Sequence, residues 1–177
     1  FAYKINFFYM RADDWTAENY DPAFDSQVGE DNPGGFDAIN IYGDEQFTAT
    51  NFDYSAPFDQ LLSPGLGRFY RSGYREIDLV DYDVENLKFN TALHYKITPK
   101  IELSYDFRYS TGSTVYQGDN RYRLENIQFF QNKIQIEQKD KFFIRAYATH
   151  EDAGDTYDIV QTAFLLNSAS SSDRNWN

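Results

Sequence analysis

Along residues 87–97, the apolar Leu87, Phe89, Leu93, Tyr95 and Ile97 alternate with Lys88, Asn90, Ala92, His94 and Lys96. After Thr98-Pro99-Lys100 the alternation resumes, with Ile101, Leu103, Tyr105, Phe107 and Tyr109 set against Glu102, Ser104, Asp106, Arg108 and Ser110. A period of two gives each strand one apolar and one polar face. Each run has about the nine to eleven residues that a tilted strand needs to cross a bilayer. Aromatic-rich apolar faces joined by a very short turn predict a hairpin of a transmembrane β-barrel. A three-residue turn at 98–100 pairs Ile97 with Ile101, Lys96 with Glu102, Leu93 with Tyr105 and Asn90 with Arg108, and it places Lys96 and Glu102 as opposite charges on one face.

Three further strands follow from the same period. Residues 1–10 carry Phe1, Tyr3, Ile5, Phe7 and Tyr9 on one face and Lys4 and Asn6 on the other. Residues 124–137 set Phe130, Ile134 and Ile136 against Gln131, Lys133, Gln135 and Glu137. Residues 142–149 set Phe142, Ile144, Ala146 and Ala148 against Arg145. The fold class is therefore all-β: antiparallel strands of a transmembrane β-barrel, about five of them spanning, with long outer loops. On strands 1–10, 87–97 and 101–109 the odd residues are expected to face lipid. Lys88, Asn90, His94, Lys96, Glu102, Asp106, Arg108 and Arg145 are expected to face the lumen.

Residues 1–177 are expected to form a partial barrel, with 11–86 a long acidic outer loop and 150–177 a second outer loop. A third loop is expected at 111–123. Short turns at 98–100 and 138–141 mark the inner side, and the alternation of strand directions closes with no further span. Turn signals inside the long loop are Asn32-Pro33-Gly34-Gly35, Tyr42-Gly43-Asp44 and Ser63-Pro64-Gly65. Five strands cannot close a barrel, and a bare edge in lipid leaves costly unpaired backbone groups. A larger barrel is expected, with strands before residue 1 and beyond residue 177.

Composition agrees. Aromatic residues make up 19% of the chain, 16 Phe, 15 Tyr and 2 Trp, as aromatic girdles at two water interfaces require. A mean hydropathy of −0.68 does not oppose a barrel, whose lumen and loops are polar. The net charge of −12 is concentrated: residues 11–60 hold twelve acidic residues and one basic one. Such a surface repels phosphate backbones, so nucleic acid is excluded as a partner. With no cysteine there are no disulfides, thiolate metal sites or cysteine nucleophiles.

Candidate chemistry is sparse. Trp15, Tyr20, Phe36 and Tyr42 have the aromatic faces to stack on a sugar or peptide, although packing within the loop uses the same rings. Glu151, Asp152, Asp155 and Asp158 present hard oxygen ligands of the kind calcium takes, but their spacing is not that of an EF-hand, and a solvated loop is the simpler reading. Asp13, Asp14, Glu18, Asp21, Asp25, Glu30 and Asp31 offer a surface for divalent cations bridging lipopolysaccharide, or a loop kept soluble by like charge. No G-x-S-x-G, H-E-x-x-H or phosphate-loop motif occurs. No enzyme and no cofactor is expected.

Several blocks, taken in order, resemble the early barrel of TonB-dependent outer-membrane receptors. They are Phe1-Ala2-Tyr3-Lys4-Ile5-Asn6-Phe7, Asp14-Trp15, Tyr42-Gly43-Asp44-Glu45, Asp78-Leu79-Val80-Asp81-Tyr82 and Leu87-Lys88-Phe89-Asn90. Further along come Ala92-Leu93-His94-Tyr95, residues 112–118 with Asn120-Arg121-Tyr122, Phe142-Phe143-Ile144-Arg145 and the acidic run 151–158. The likeness is to receptors that carry a carboxypeptidase-regulatory-like domain ahead of the plug. It implies a barrel of about twenty-two strands around a plug, and active uptake of a bulky solute across the outer membrane of a Gram-negative bacterium. It also implies partners: outer-membrane lipid and lipopolysaccharide, the plug and remaining strands, the inner-membrane TonB complex and a surface lipoprotein. Two other readings stay open, a soluble carbohydrate-binding β-sandwich module and a small complete outer-membrane barrel.

Overall fold

The structure, a computed structural model, describes residues 1–45, 49–51 and 67–171. In chain order the strands are β1 (Ala2–Asp13), β2 (Ile41–Tyr42), β3 (Thr50–Asn51), β4 (Arg68–Phe69), β5 (Tyr74–Arg75), β6 (Asp83–Lys96), β7 (Ile101–Gln117), β8 (Arg121–Gln138), β9 (Phe142–Asp152) and β10 (Tyr157–Asp158). A 3-10 turn, Glu76–Asp78, follows β5, and one helix, α1 (Ile159–Ser170), follows β10. Two compact units result. Unit 1 comprises Phe1–Asp14, Tyr82–Tyr116 and Tyr122–Tyr157; unit 2 comprises Trp15–Asp81, Gln117–Arg121 and Asp158–Asn177. Among the described residues no helix is long and apolar enough to cross a membrane, which says nothing of strands.

Unit 1 is built on one antiparallel sheet. β1 pairs with β6, β6 with β7, β7 with β8, and β8 with both β9 and the short β10. The sheet is open: among the described residues β1 pairs with β6 alone, so no barrel is closed. Tyr3 lies opposite Leu93, and Leu93 opposite Tyr105. Lys4 lies opposite Ala92, and Ala92 opposite Asp106. Directly opposed residues share a face, so the odd residues of three strands form one surface and the even residues the other.

The phase changes at β8. Tyr109 packs on Phe130 with ring centroids 4.8 Å apart, while Asp106 pairs with Lys133 at 2.7 Å. The apolar face therefore continues through the even residues of β8 and β9, where Phe130 opposes His150 and Ile136 opposes Ile144. One aromatic row crosses all five long strands: Phe7, Phe89, Tyr109, Phe130 and His150. Eight residue steps separate Leu87 from Tyr95. At about 3.4 Å per residue and a tilt of about 40°, that apolar stretch stands roughly 21 Å tall, close to the ~25 Å band of outer-membrane barrels. Past it the same face turns polar. Arg11 opposes Glu85, Glu85 opposes Ser113, and the Tyr9 hydroxyl donates to Glu85 Oε1 at 2.7 Å.

The Lys96–Glu102, Leu93–Tyr105 and Asn90–Arg108 pairs stand as the turn length predicts. At the turn itself, Thr98 and Ile101 exchange both backbone hydrogen bonds, each 3.3 Å, around Pro99-Lys100. Ile97 is thereby an extra residue rather than the partner of Ile101, because the proline-led tight turn closes one residue sooner. The strands outrun their expected bounds. β7 continues to Gln117 and β8 begins at Arg121, so the loop expected at 111–123 shrinks to residues 118–120. Alternation marks only the part of a strand with one apolar face, and these extensions break it: the apolar Val115 and Tyr116 are adjacent after a run of Thr, Gly and Ser, and Tyr122 stands between two arginines.

Unit 2 has its own small core, with Ala17, Ala38, Tyr42, Tyr70, Ile159 and Ala163 all buried. Its short strands pair locally: Ile41 with Arg75, Tyr42 with Tyr74, Thr50 with Phe69 and Asn51 with Arg68. The expected outer loop at 150–177 contains α1. Asp158 caps it by accepting from the Gln161 amide at 2.9 Å, and Ile159, Ala163 and Asn167, four residues apart, form its buried face. Asn167 Nδ2 donates to Gly43 O at 2.7 Å, and Arg71 Nη2 donates to Asn167 O at 2.8 Å near the helix C-terminus. There a cation also complements the helix dipole. Of the turn signals, Asn32 O accepts from Gly35 N, and Gly43 takes a φ of +89°; Ser63-Pro64-Gly65 lies outside the described residues.

Candidate functional site

The polar face of the sheet gathers every residue expected to line a lumen. Lys88, Asn90, His94 and Lys96 of β6 share it with Glu102, Asp106 and Arg108 of β7. Arg145 of β9 opposes Gln135, on the same face as Lys133, and so joins them. Arg145 Nε donates to Gln135 Oε1 at 2.7 Å, and Gln135 Nε2 donates to Glu137 Oε2 at 2.6 Å. The Glu102 carboxylate lies 2.8 Å from His94 Nδ1, a diagonal neighbour, and this is its partner rather than Lys96 opposite. The shorter, stiffer imidazole gives up less rotamer freedom than a lysine held in one geometry. A recess of about 290 Å³ on this sheet is bordered by Asp106, Arg108, Gln131, Lys133 and Thr149. Such a surface offers hydrogen-bond donors and acceptors in many directions and no focused chemistry.

In unit 2 the centre is an ion pair that sequence reading missed. Glu76 is fully buried, and Arg121 reaches it with two hydrogen bonds, Nε to Oε2 at 3.0 Å and Nη2 to Oε1 at 2.6 Å. The Tyr42 hydroxyl also donates to Glu76 Oε2. Burial, then the hydrogen bond to Glu76, raises the Tyr42 pKa well above the ordinary phenol value. The Arg121 guanidinium lies 5.3 Å from the Trp15 ring centroid. Of the four aromatic candidates, Trp15 and Tyr42 are thus linked through Arg121 and Glu76. Tyr42 is almost wholly buried, Trp15 remains 66% exposed, Tyr20 is exposed, and the half-buried Phe36 borders a different cleft.

A cleft of about 420 Å³ beside this pair is lined by Asp25, Asp37, Asn40, Glu45, Asp119 and Asn120, among others. Glu45 Oε2 accepts from Gly43 N at 2.6 Å, and Asp44 Oδ2 from Ala38 N at 3.3 Å. Burial lifts both carboxyl groups to about 7, with Glu45 and then Asp37 raising Asp44 further.

The calcium candidates are drawn into turns and a cap. Asp152 Oδ1 accepts from Gly154 N at 2.9 Å, and Asp155 N donates to Glu125 O at 2.9 Å. Asp158 caps α1 and accepts from Asn120 Nδ2 at 2.8 Å. Glu151 stands opposite Phe129 in the β8–β9 ladder. In the acidic loop, Asp14 Oδ2 accepts from Thr114 Oγ1 at 2.8 Å and Val115 N at 2.9 Å. Among the described residues, no group of three or more His, Cys, Asp or Glu side chains is arranged to hold a metal ion. Compared with protein-family models, with curated proteins and with solved structures, the chain gives no match.

Proposed function

We propose that this chain supplies part of the wall and outer loops of a TonB-dependent outer-membrane receptor, of the type with a carboxypeptidase-regulatory-like domain, and that the receptor takes up a bulky solute. In this reading the apolar face of unit 1 meets outer-membrane lipid and lipopolysaccharide, and its polar face meets the lumen and plug. Further strands of the same receptor complete the sheet at β1 and β9. Energy comes from the TonB complex through a segment outside these residues, and unit 2 takes part at the solute entrance, where a surface lipoprotein docks. The chain performs no catalysis.

One observation carries the reading: a continuous apolar face, crossed by an aromatic row on five strands, that is open to its surroundings. Tyr3 is 68% exposed, Phe7 67% and Ile144 70%. A β-sandwich covers such a face with a second sheet, and a water-soluble protein rarely leaves so large an apolar surface bare. Lipid is the solvent that suits it. The test is a single-cysteine scan of the full receptor in outer-membrane vesicles, with a spin label at residues 90–93 and 104–107. Odd positions are expected to be reached by oxygen and even positions by a water-soluble nickel complex. Uniform access along both strands, or a full chain that stays monodisperse without detergent, would refute the reading.

A further inference from the structure

On the polar face of unit 1, one row of side chains crosses all five long strands: Asn6, Asn90, Arg108, Gln131 and Thr149. Asn6 opposes Asn90, Asn90 opposes Arg108, and Gln131 opposes Thr149. The Asp106–Lys133 and Tyr109–Phe130 contacts on either side bring Arg108 beside Gln131. Arg108 is the one charge in this row. It is exposed and borders the recess of about 290 Å³ together with Gln131 and Thr149. Among the described residues its guanidinium has no ion-pair or hydrogen-bond partner.

The neighbours of Arg108 leave it uncompensated. Asp106, two residues back on the same face, is held by Lys133 at 2.7 Å. Lys88 stands on the adjacent diagonal, since it opposes Ser110 while Asn90 opposes Arg108, and its ammonium lies over the Phe8 ring. Three cations thus meet one carboxylate, in a chain whose net charge is −12. Like charges on neighbouring strands repel, and an anion set between them turns that repulsion into attraction. The planar fork of an arginine fits a carboxylate with two parallel hydrogen bonds. Asn6, Asn90 and Gln131 each add a donor and an acceptor, the pair that a peptide group requires. At about 4.8 Å between strands the row runs roughly 19 Å, the reach of about six extended residues. The recess, about 290 Å³, lies at the lower edge of the ~300–1,000 Å³ of small-molecule sites, and it admits a side chain rather than a bulky solute.

We propose that this row seats an extended acidic peptide segment, one carboxylate of which pairs with Arg108 beside Lys88 while its backbone meets the flanking amides. The inference deepens the proposed function and rests on its placing this face away from lipid. The test is benzophenone-phenylalanine, incorporated singly at Asn90 or Thr149 in the full protein in outer-membrane vesicles, with the photo-adducts sequenced by mass spectrometry. Both positions should capture one peptide segment that contains Asp or Glu. Arg108→Glu should lower the yield about tenfold or more, as expected for a lost charged hydrogen bond, and Arg108→Lys should keep part of it. Reversing the charge of the captured acidic residue should restore the yield in Arg108→Glu. The same probe at Phe107, on the apolar face, should capture lipid in every variant, which reports that the sheet is still folded and inserted. No peptide adduct, adducts to a small solute alone, a captured segment without an acidic residue, or an unchanged yield in Arg108→Glu overturns the proposal, and lipid capture at Phe107 then leaves the membrane reading standing. Lipid adducts at Asn90 and Thr149 would overturn both. Should Arg108→Glu not insert, an unchanged yield in Arg108→Gln overturns the proposal equally.

Discussion

Removing Arg121 should loosen unit 2 far more than an ordinary surface substitution. Glu76 has no exposed side-chain surface and the Arg121 side chain has 9%, so water cannot replace the lost partner. Breaking a buried pair by deleting one member leaves an uncompensated charge, at a cost of about 3–5 kcal/mol. Arg121→Met keeps most of the apolar stem and removes the guanidinium, with its two hydrogen bonds to Glu76 and its place by Trp15. At about 1.4 kcal/mol per decade, amides of the Glu76–Asp78 turn should exchange roughly 150-fold to several thousand-fold faster. The double variant Arg121→Met/Glu76→Met removes both charges. Since apolar replacement of a whole buried pair is often neutral or stabilising, it should recover at least about 2 kcal/mol of that loss. Hydrogen exchange with mass spectrometry on the full protein in detergent reads both variants. A single variant within threefold of the parent, or a double variant no better than the single, would refute the view that this pair organises the unit.

Gly43→Ala should cost unit 2 about 2–3 kcal/mol, because φ is +89° and the added Cβ would lie 2.7 Å from Asn167 Nδ2, which donates to Gly43 O; exchange in α1 measures it. The pH dependence of unit 2 should run against the usual acid trend. Asp44 is raised from 3.8 to about 7 in the fold, chiefly by burial, so the folded state holds a proton that the unfolded chain releases. Its contribution is fully present below about pH 4 and is lost as pH rises through about 7, a difference of at most about 4 kcal/mol. Stability of the parent relative to Asp44→Asn should therefore fall between those limits; a difference independent of pH would show that Asp44 is not protonated in the fold.

Five long strands are legible in the sequence because alternation of side chains is a local property with a period of two. Even the change of phase, from odd apolar residues through Tyr109 to even ones from Phe130, is written in the pattern. Register follows for the same reason, since a slip by one residue would turn Leu93 and Tyr105 toward opposite faces. The helix at Ile159–Ser170 left fainter signs, a capping Asp158 and a spacing of four from Ile159 to Ala163 to Asn167. These were overlaid by an acidic run that invited a cation-loop reading. What only the tertiary structure decides is the meeting of distant residues. Nothing local marks Glu76 and Arg121, 45 residues apart, as one buried pair, nor joins Asn167 to Gly43, 124 residues away. Those contacts depend on how the chain returns through 117–121 and 158–170, and loops without a period carry no signal of where they return. The apolar face was determined residue by residue; the buried Glu76, held by Arg121 and Tyr42, exists only once the chain has closed around it.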